Sequence, residues 1–334
     1  MKRTEQFAFA LMITMLAGLY ACDEGQSPQE PEVGGEQPAT DNNPVITDMF
    51  TADPASMVHD GVFYLYTGHD EQVAGGEGFL MNDWYVFSST DMVNWTNHGP
   101  VLHTNNFAWS SGQAWAAHVV EKDGKFYYYV TVEHADIPGK ALGVAVADSP
   151  TGPFTDAIGE ALVTNDMTTQ TDVFWDDIDP AVFIDDDGSA YLYWGNTVMK
   201  WAKLKDNMVE LDGPIHTIDI PAFTEAPWVF KKEENYYLVY SAEFPEVIDY
   251  AMASSPEGPW EYQGRLNDLV PNSPTNHAGI SEYKGQWYFV YHNGSLPSGG
   301  EFRRSVCIDY LRFNEDGTLQ KVVQTALGVP AITE

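Results

Sequence analysis

Asp187-Gly188-Ser189-Ala190-Tyr191-Leu192-Tyr193 joins a tight-turn signal to an aromatic run, and the same arrangement recurs four more times along the chain. The others are Asp60-Gly61-Val62-Phe63-Tyr64-Leu65-Tyr66, Asp123-Gly124-Lys125-Phe126-Tyr127-Tyr128-Tyr129, Glu234-Asn235-Tyr236-Tyr237-Leu238-Val239-Tyr240 and Lys284-Gly285-Gln286-Trp287-Tyr288-Phe289-Val290. An Asp-Gly pair supplies the positive backbone angles of a two-residue hairpin turn, and the residues after it suit a pleated strand. A second turn motif follows each of the five, at residues 88–95, 147–154, 203–210, 253–260 and 311–319. Two turn-and-strand pairs per unit, at about 58 residues per unit, match a four-stranded propeller blade. The strands are apolar at successive positions, as in 126–130 and 236–240, so both faces are expected to be covered. The pattern predicts an all-β fold, a five-bladed β-propeller. A β-sandwich is the competing architecture, but it leaves the fivefold repeat unexplained.

Seven or eight residues before each Asp-Gly type turn, the innermost strand of that blade should begin. Those positions hold Asp53, Trp115 or Ala116, Asp179, Glu225 and His277. Charges in the most buried part of a propeller are costly unless paired or wet. Carboxylates converging at one axis are what glycoside hydrolysis requires, one to protonate the departing oxygen and one to activate water or attack the anomeric carbon, and a third nearby can raise a neighbour's pKa by like-charge repulsion. Glu225 lies beside Pro227, Trp228 and Phe230, apolar surroundings that favour a neutral, proton-donating carboxyl. It is assigned as the general acid, Asp53 as the general base, and Asp179 as the residue holding the acid's pKa and position. Trp109, Trp115, Trp175 and Trp228 are available to stack on sugar rings. The polar pairs His69-Asp70 and Arg303-Arg304, with Arg304 preferred, are available to bind hydroxyls.

The ends of the chain say where it works. Residues 1–21 combine a basic start with a short apolar run ending before Cys22, the pattern of a lipoprotein-type export signal with Cys22 as the lipidated residue; cleavage near Ala21 to a soluble secreted form is the alternative. The run is too short for a spanning helix, which needs about 20 residues. Residues 22–44 are acidic and rich in Pro and Gly, and read as a disordered tether before a catalytic domain at 45–334. Sixteen Lys and Arg face 49 Asp and Glu, which disfavours nucleic acid or another polyanion and favours a neutral polysaccharide. With two cysteines there is no disulfide framework, and 18 Tyr, 17 Phe and 10 Trp must supply the core. No organic cofactor is called for, membrane contact is expected only through the lipid, and a monomer is expected.

These motifs together resemble glycoside hydrolase family 43. The resemblance rests on Thr51-Ala52-Asp53-Pro54 with residues 64–70, on 177–196, on 224–230, on 276–292 and on 303–311, in that order along residues 45 to 325. It implies a five-bladed propeller and an inverting mechanism with Asp53 as base, Glu225 as acid and Asp179 tuning the acid. It also implies that His277 lies on the axis near a calcium ion held largely through water. The expected substrates are arabinoxylan and its relatives, with removal of α-L-arabinofuranose side chains foremost and β-D-xylosidase or arabinan activity as alternatives. No appended carbohydrate-binding module or second β-sandwich is evident in the sequence, which argues against a β-xylosidase whose pocket a second domain closes. A propeller that binds glycans without cleaving them is the alternative from another class.

Overall fold

The structure is a computed structural model that describes residues 41–169 and 171–333. Cys22, the export signal and most of the tether lie outside the described residues. None of the described helices is long and apolar enough to cross a membrane.

Five antiparallel sheets follow one another along the chain. Their innermost strands are Thr51–His59, Ala117–Lys122, Ala181–Ile184, Phe223–Lys232 and Gly279–Tyr283. Each of these touches the innermost strands of the two neighbouring blades, and the fifth touches the first, so the blades close a ring. This is the five-bladed propeller that the repeats predict. The second strands, Val62–His69, Lys125–His134, Ala190–Trp194, Asn235–Ala242 and Gln286–Asn293, carry the aromatic runs.

Blades 1, 2 and 5 make the expected turn, with both central residues at positive φ: Asp60-Gly61, Asp123-Gly124 and Lys284-Gly285. Blade 4 turns one residue earlier than read, at Glu233-Glu234, because Lys232 pairs with Asn235. Blade 3 has a longer loop over residues 185–189, closed by the Asp185 N–H donating to the Ser189 carbonyl.

The two sequence repeats meet across blade boundaries. A tyrosine hydroxyl in each blade donates to a backbone carbonyl in the outer turn of the next: Tyr66 to Pro150, Tyr129 to Met208, Tyr193 to Pro256, Tyr237 to Gly317, and Tyr283 to Thr90. Each bond is worth about 1 kcal/mol net, and each gives a buried phenol the partner it needs. The repeat therefore fixes blade-to-blade packing as well as the strands.

Blade 5 has three strands of its own. The segment before blade 1 runs along its outer strand Ser305–Tyr310: Val45 N–H donates to Val306 O, and the Asn43 side chain both accepts from Ile308 N and donates to Ile308 O. The folded unit thus begins earlier than the boundary read at residue 44, because the Asn42 and Asn43 amides find backbone partners in the C-terminal part of the chain.

Candidate active site

Asp53 and Asp179 share an unusual backbone. Each precedes a proline and sits at positive φ, 48° and 58° respectively, a conformation that Asp tolerates better than most residues. In blade 1 the strand register shifts between Ala52 and Ala55, so the segment holding Asp53 bulges. Bulges re-aim side chains at the ends of sheets. In blade 4 the matching residue before proline is Ala226, φ 55°, and Glu225 stands one place earlier. The five positions are therefore not all equivalent, and the longer glutamate side chain accompanies the one-residue offset.

The three carboxylates border one cavity of about 380 Å³, together with Arg304, Asn196 and a fourth carboxylate, Glu246. Asp53 and Asp179 are buried and Glu225 is half-buried. Arg304 Nη1 donates to Asp53 Oδ1 at 2.7 Å. His292 Nδ1 accepts the Asp53 backbone N–H at 3.2 Å, which leaves Nε2–H to donate to the Thr275 carbonyl at 2.9 Å and fixes a neutral tautomer. Asp179 is held through its backbone N–H on Thr131 Oγ1, and its Oδ2 accepts the Ala226 N–H. Asn196 Nδ2 donates to Glu225 Oε2 at 2.8 Å.

Electrostatics follow from burial and crowding. Burial raises the pKa of Asp53, opposed by Arg304. Asp179 is pushed well above the ordinary carboxylate range by burial, then by the charges of Glu225 and Asp53. Burial also raises Glu225, against the hydrogen bond from Asn196. Burial opposes the charge on Arg304, but Asp53 and Asp70 outweigh it and its pKa is raised. The site therefore holds a carboxylate paired with a cation beside carboxyls that favour the neutral form, the division of labour that acid–base chemistry needs.

The other residues singled out from the sequence divide. Trp115 lines the cavity, edge-on to Phe79 and with the Lys140 ammonium over its ring, and Trp175 lies at the mouth, 40% exposed. Asp70 is buried and binds Arg304 rather than facing the cavity, so a direct role on sugar hydroxyls does not hold. His69 pairs with Asp83 and lies outside the cavity lining. Trp109 is packed in blade 2 against Phe107 and Gly143, its indole N–H on Asp156, and is not part of the cavity lining. Trp228 packs edge-on to His118 and borders a different cavity with Val182 and Ile280, because the bulge before it turns that part of the strand away from Glu225. Trp228 and Phe230 are thus not what surrounds the Glu225 carboxyl. Arg303 stacks on Phe50.

Asp176 and Asp177 pair with the fully buried Lys200, Asp176 Oδ2 at 2.6 Å. Their stretch carries Asn196, whose backbone N–H donates to the Asp176 carbonyl. His277 is buried, and its pKa falls to about 3 through burial and the nearby Arg304 and His118. Calcium takes six to eight oxygen ligands. The charged group acting on His277 is the Arg304 guanidinium, and the one metal-capable trio found among the described residues, His69 with Glu71 and Asp83, is elsewhere. Among the described residues no group of three His, Cys, Asp or Glu ligands gathers at His277, so a calcium there would take most of its ligands from water, and no step below runs through one.

Glu246, Asn196, Phe79, Met81, Phe244 and Thr275 line the cavity without having been picked out. Asn196 lies just beyond the second strand of blade 3, the place where His69 and Asp70 drew notice in blade 1. That shared position was the available signal. Glu246 ends the loop between the second and third strands of blade 4, the counterpart of the blade 3 loop that holds Asn196, and the turn-and-strand repeat does not extend into it.

Residues 42–319 match the family described as Glycosyl hydrolases family 43. The chain is 33% identical to an arabinoxylan arabinofuranohydrolase of Bacillus subtilis, over 87% of this chain and 66% of that protein, so it spans just under two thirds of that relative. It is 32% identical to a xylosidase/arabinosidase of Bacteroides ovatus, over 84% of this chain and 97% of the other. Among solved structures it is similar to an α-L-arabinofuranosidase from Clostridium thermocellum, with 34% identity, a TM-score of 0.72, and coverage of 88% of this chain and 99% of the other.

Proposed function

Because the chain belongs to glycosyl hydrolases family 43, we propose that it is an inverting glycoside hydrolase that removes α-L-arabinofuranose side chains from arabinoxylan. The observation that carries this reading is the meeting of Asp53, Asp179 and Glu225, from three separate blades, around one cavity with Arg304. The lining of that cavity includes the exposed rings of Trp175 and Phe244, available to the chain beyond.

In this mechanism Glu225 delivers its proton to the glycosidic oxygen as the bond to the anomeric carbon breaks. Asp53 takes a proton from the water that attacks the opposite face. Arg304 favours the ionised form of Asp53 against the effect of burial, and orients it. Asp179 holds the bulge after Glu225 by accepting the Ala226 N–H, and so fixes where the acid stands. We also assign residues 1–21 as an export signal and Cys22 as a lipid anchor. Loss of detergent-phase partitioning in Cys22→Ala checks the anchor, and unchanged partitioning rejects it.

The deciding experiment is digestion of arabinoxylan, arabinan and xylo-oligosaccharides by wild type and Glu225→Gln, with the released sugars identified and the first-formed anomer followed by NMR. Release of arabinose with inverted configuration, reduced roughly 10²- to 10⁴-fold in Glu225→Gln, is expected. Xylose as the sole product favours the β-xylosidase reading. No release from any of these by wild type, with binding retained, favours a non-catalytic glycan-binding propeller. Turnover unchanged in Glu225→Gln rejects the acid assignment.

A further inference from the structure

We propose that Thr197 is a positioning residue for the general acid: from outside the cavity it holds the Asn196 amide on one oxygen of Glu225, so that the proton for the leaving group stands on the other. The inference rests on the acid role given to Glu225 above. Asn196 Nδ2 donates to Glu225 Oε2 at 2.8 Å, and Thr197 Oγ1 donates to Asn196 Oδ1 at 2.9 Å, so the amide is held at both ends. Thr197 itself is exposed and is not part of the cavity lining.

The backbone at Thr197 is strained. Its φ is 66°, and a β-branched residue at positive φ is a genuine outlier. Val198 N–H donates to the Asn196 carbonyl at 2.7 Å across it, closing a three-residue turn whose positive-φ form is rare. Gly195 admits the turn, since a Cβ there would lie 2.3 Å from the Val198 carbonyl oxygen. Strain of this kind persists only where the surroundings over-determine the geometry, and it gathers at functional sites. Here Asn196 N–H donates to the Asp176 carbonyl at 3.0 Å, an oxygen that the Lys200 ammonium also holds, and Gly195 N–H donates to the Ile178 carbonyl at 2.9 Å. Thr197 N–H donates to the Thr224 carbonyl at 2.8 Å, which ties the turn in blade 3 to the residue next to Glu225 in blade 4. Glycine or asparagine would take this φ more readily, so what threonine adds at the position is its hydroxyl.

A neutral carboxyl accepts best at its carbonyl oxygen. With the amide donating to Oε2, neutral Glu225 carries its proton on Oε1. On turnover that proton passes from Oε1 to the glycosidic oxygen, which takes the electron pair of the breaking bond, while Asp53 accepts a proton of the attacking water. Negative charge then develops on Glu225, and Asn196 Nδ2 is already aimed at it. The same donor favours the ionised form of Glu225 against burial. The other charged groups acting on Glu225 are Asp53 in blade 1, Asp179 in blade 3, Glu246 in blade 4 and Arg304 just before the outer strand of blade 5, and a substitution at Thr197 leaves all of them in place.

The test is the pH profile of kcat/KM, on the substrate that wild type hydrolyses fastest, for wild type, Thr197→Val and Thr197→Ser. Thr197→Val keeps the shape and loses the hydroxyl, so the amide loses its second anchor and favours the ionised form of Glu225 less. At the optimum kcat/KM is expected to fall roughly threefold to tenfold, mostly in kcat, and the basic limb is expected to move up in pH. Thr197→Ser keeps the hydroxyl and is expected to recover both. A basic limb that stays in place in Thr197→Val, or a Thr197→Ser enzyme as impaired as Thr197→Val, overturns the proposal. Should Thr197→Val fail to fold, Thr197→Gly, which takes positive φ without strain, replaces it with the same expected outcomes. Turnover unchanged in Glu225→Gln would reject the acid role itself, while inactive Glu225→Gln with an unmoved limb in Thr197→Val rejects only the part given to Thr197.

Discussion

Asp70 grips Arg304 with both carboxylate oxygens: Oδ2 accepts the Arg304 backbone N–H at 2.8 Å and Nε at 2.9 Å, and Oδ1 accepts Nη2 at 3.0 Å. The guanidinium is left with Nη1 aimed at Asp53. A buried arginine oriented by one aspartate thus serves a second one at the cavity. Asp70→Asn would replace an acceptor with an amide N–H pointed at the guanidinium. Breaking a buried pair on one side costs about 3–5 kcal/mol. Urea unfolding of Asp70→Asn should show a loss of that size, and kcat/KM should fall at least tenfold with it, because Asp53 loses its orienting partner. Wild-type stability in this variant would show that the pair contributes nothing.

Asp179 contributes stability that is lost as pH rises. An unfolded aspartate ionises near pH 3.9. In the folded protein burial and the charges of Glu225 and Asp53 hold its pKa well above that. The folded state therefore binds more protons across the interval between the two values. This contribution to stability is fully present below the unfolded pKa and is lost as pH rises through the folded one. Asp179→Asn removes the titration, while its amide oxygen still accepts the Ala226 N–H. Calorimetry at pH 5 and pH 8 should show a smaller drop in Tm between the two for Asp179→Asn than for wild type, together with a large loss of hydrolysis. An equal drop in both proteins would contradict the argument.

How far the sequence could carry this reading depends on what repeats. The turn-and-strand motif recurs, so blade number, strand faces and the three carboxylate-bearing segments were legible from spacing alone. Asp53 and Asp179 were correctly paired because both precede a proline in the same register. The offset of Glu225 was not legible, since it arises from a bulge whose boundaries appear only in the strand pairing. Trp109 and Trp228 were overread for a related reason. An indole near a site in sequence faces it only if the pleat and the bulge allow, and here both indoles turn into blade packing. Glu246 and Asp70 show the opposite limit: one ends a loop that the turn-and-strand repeat does not cover, and the other acts through an arginine 234 residues away.

Trp175 and Phe244 stand at the mouth of the cavity, 40% and 69% exposed. Phe174 packs edge-on to Trp175 at 4.8 Å between ring centroids, so that indole is held with its partner rather than free. Aromatic faces left in solvent at a carbohydrate site offer stacking surface to the rings flanking the bond that is cut. Such a surface contributes to a long substrate and little to a short one. Phe244→Ala should therefore raise KM on polymeric arabinoxylan, up to about tenfold if the contact contributes about 1.4 kcal/mol. It should leave kcat/KM on a small aryl arabinofuranoside within about twofold. Its unfolding free energy should stay within about 0.5 kcal/mol of wild type, since an exposed side chain away from the core contributes little to folding. Equal losses on both substrates would place Phe244 at the reacting sugar instead, and Trp175→Ala, measured on the same pair, would then show whether any surface for the chain beyond it remains.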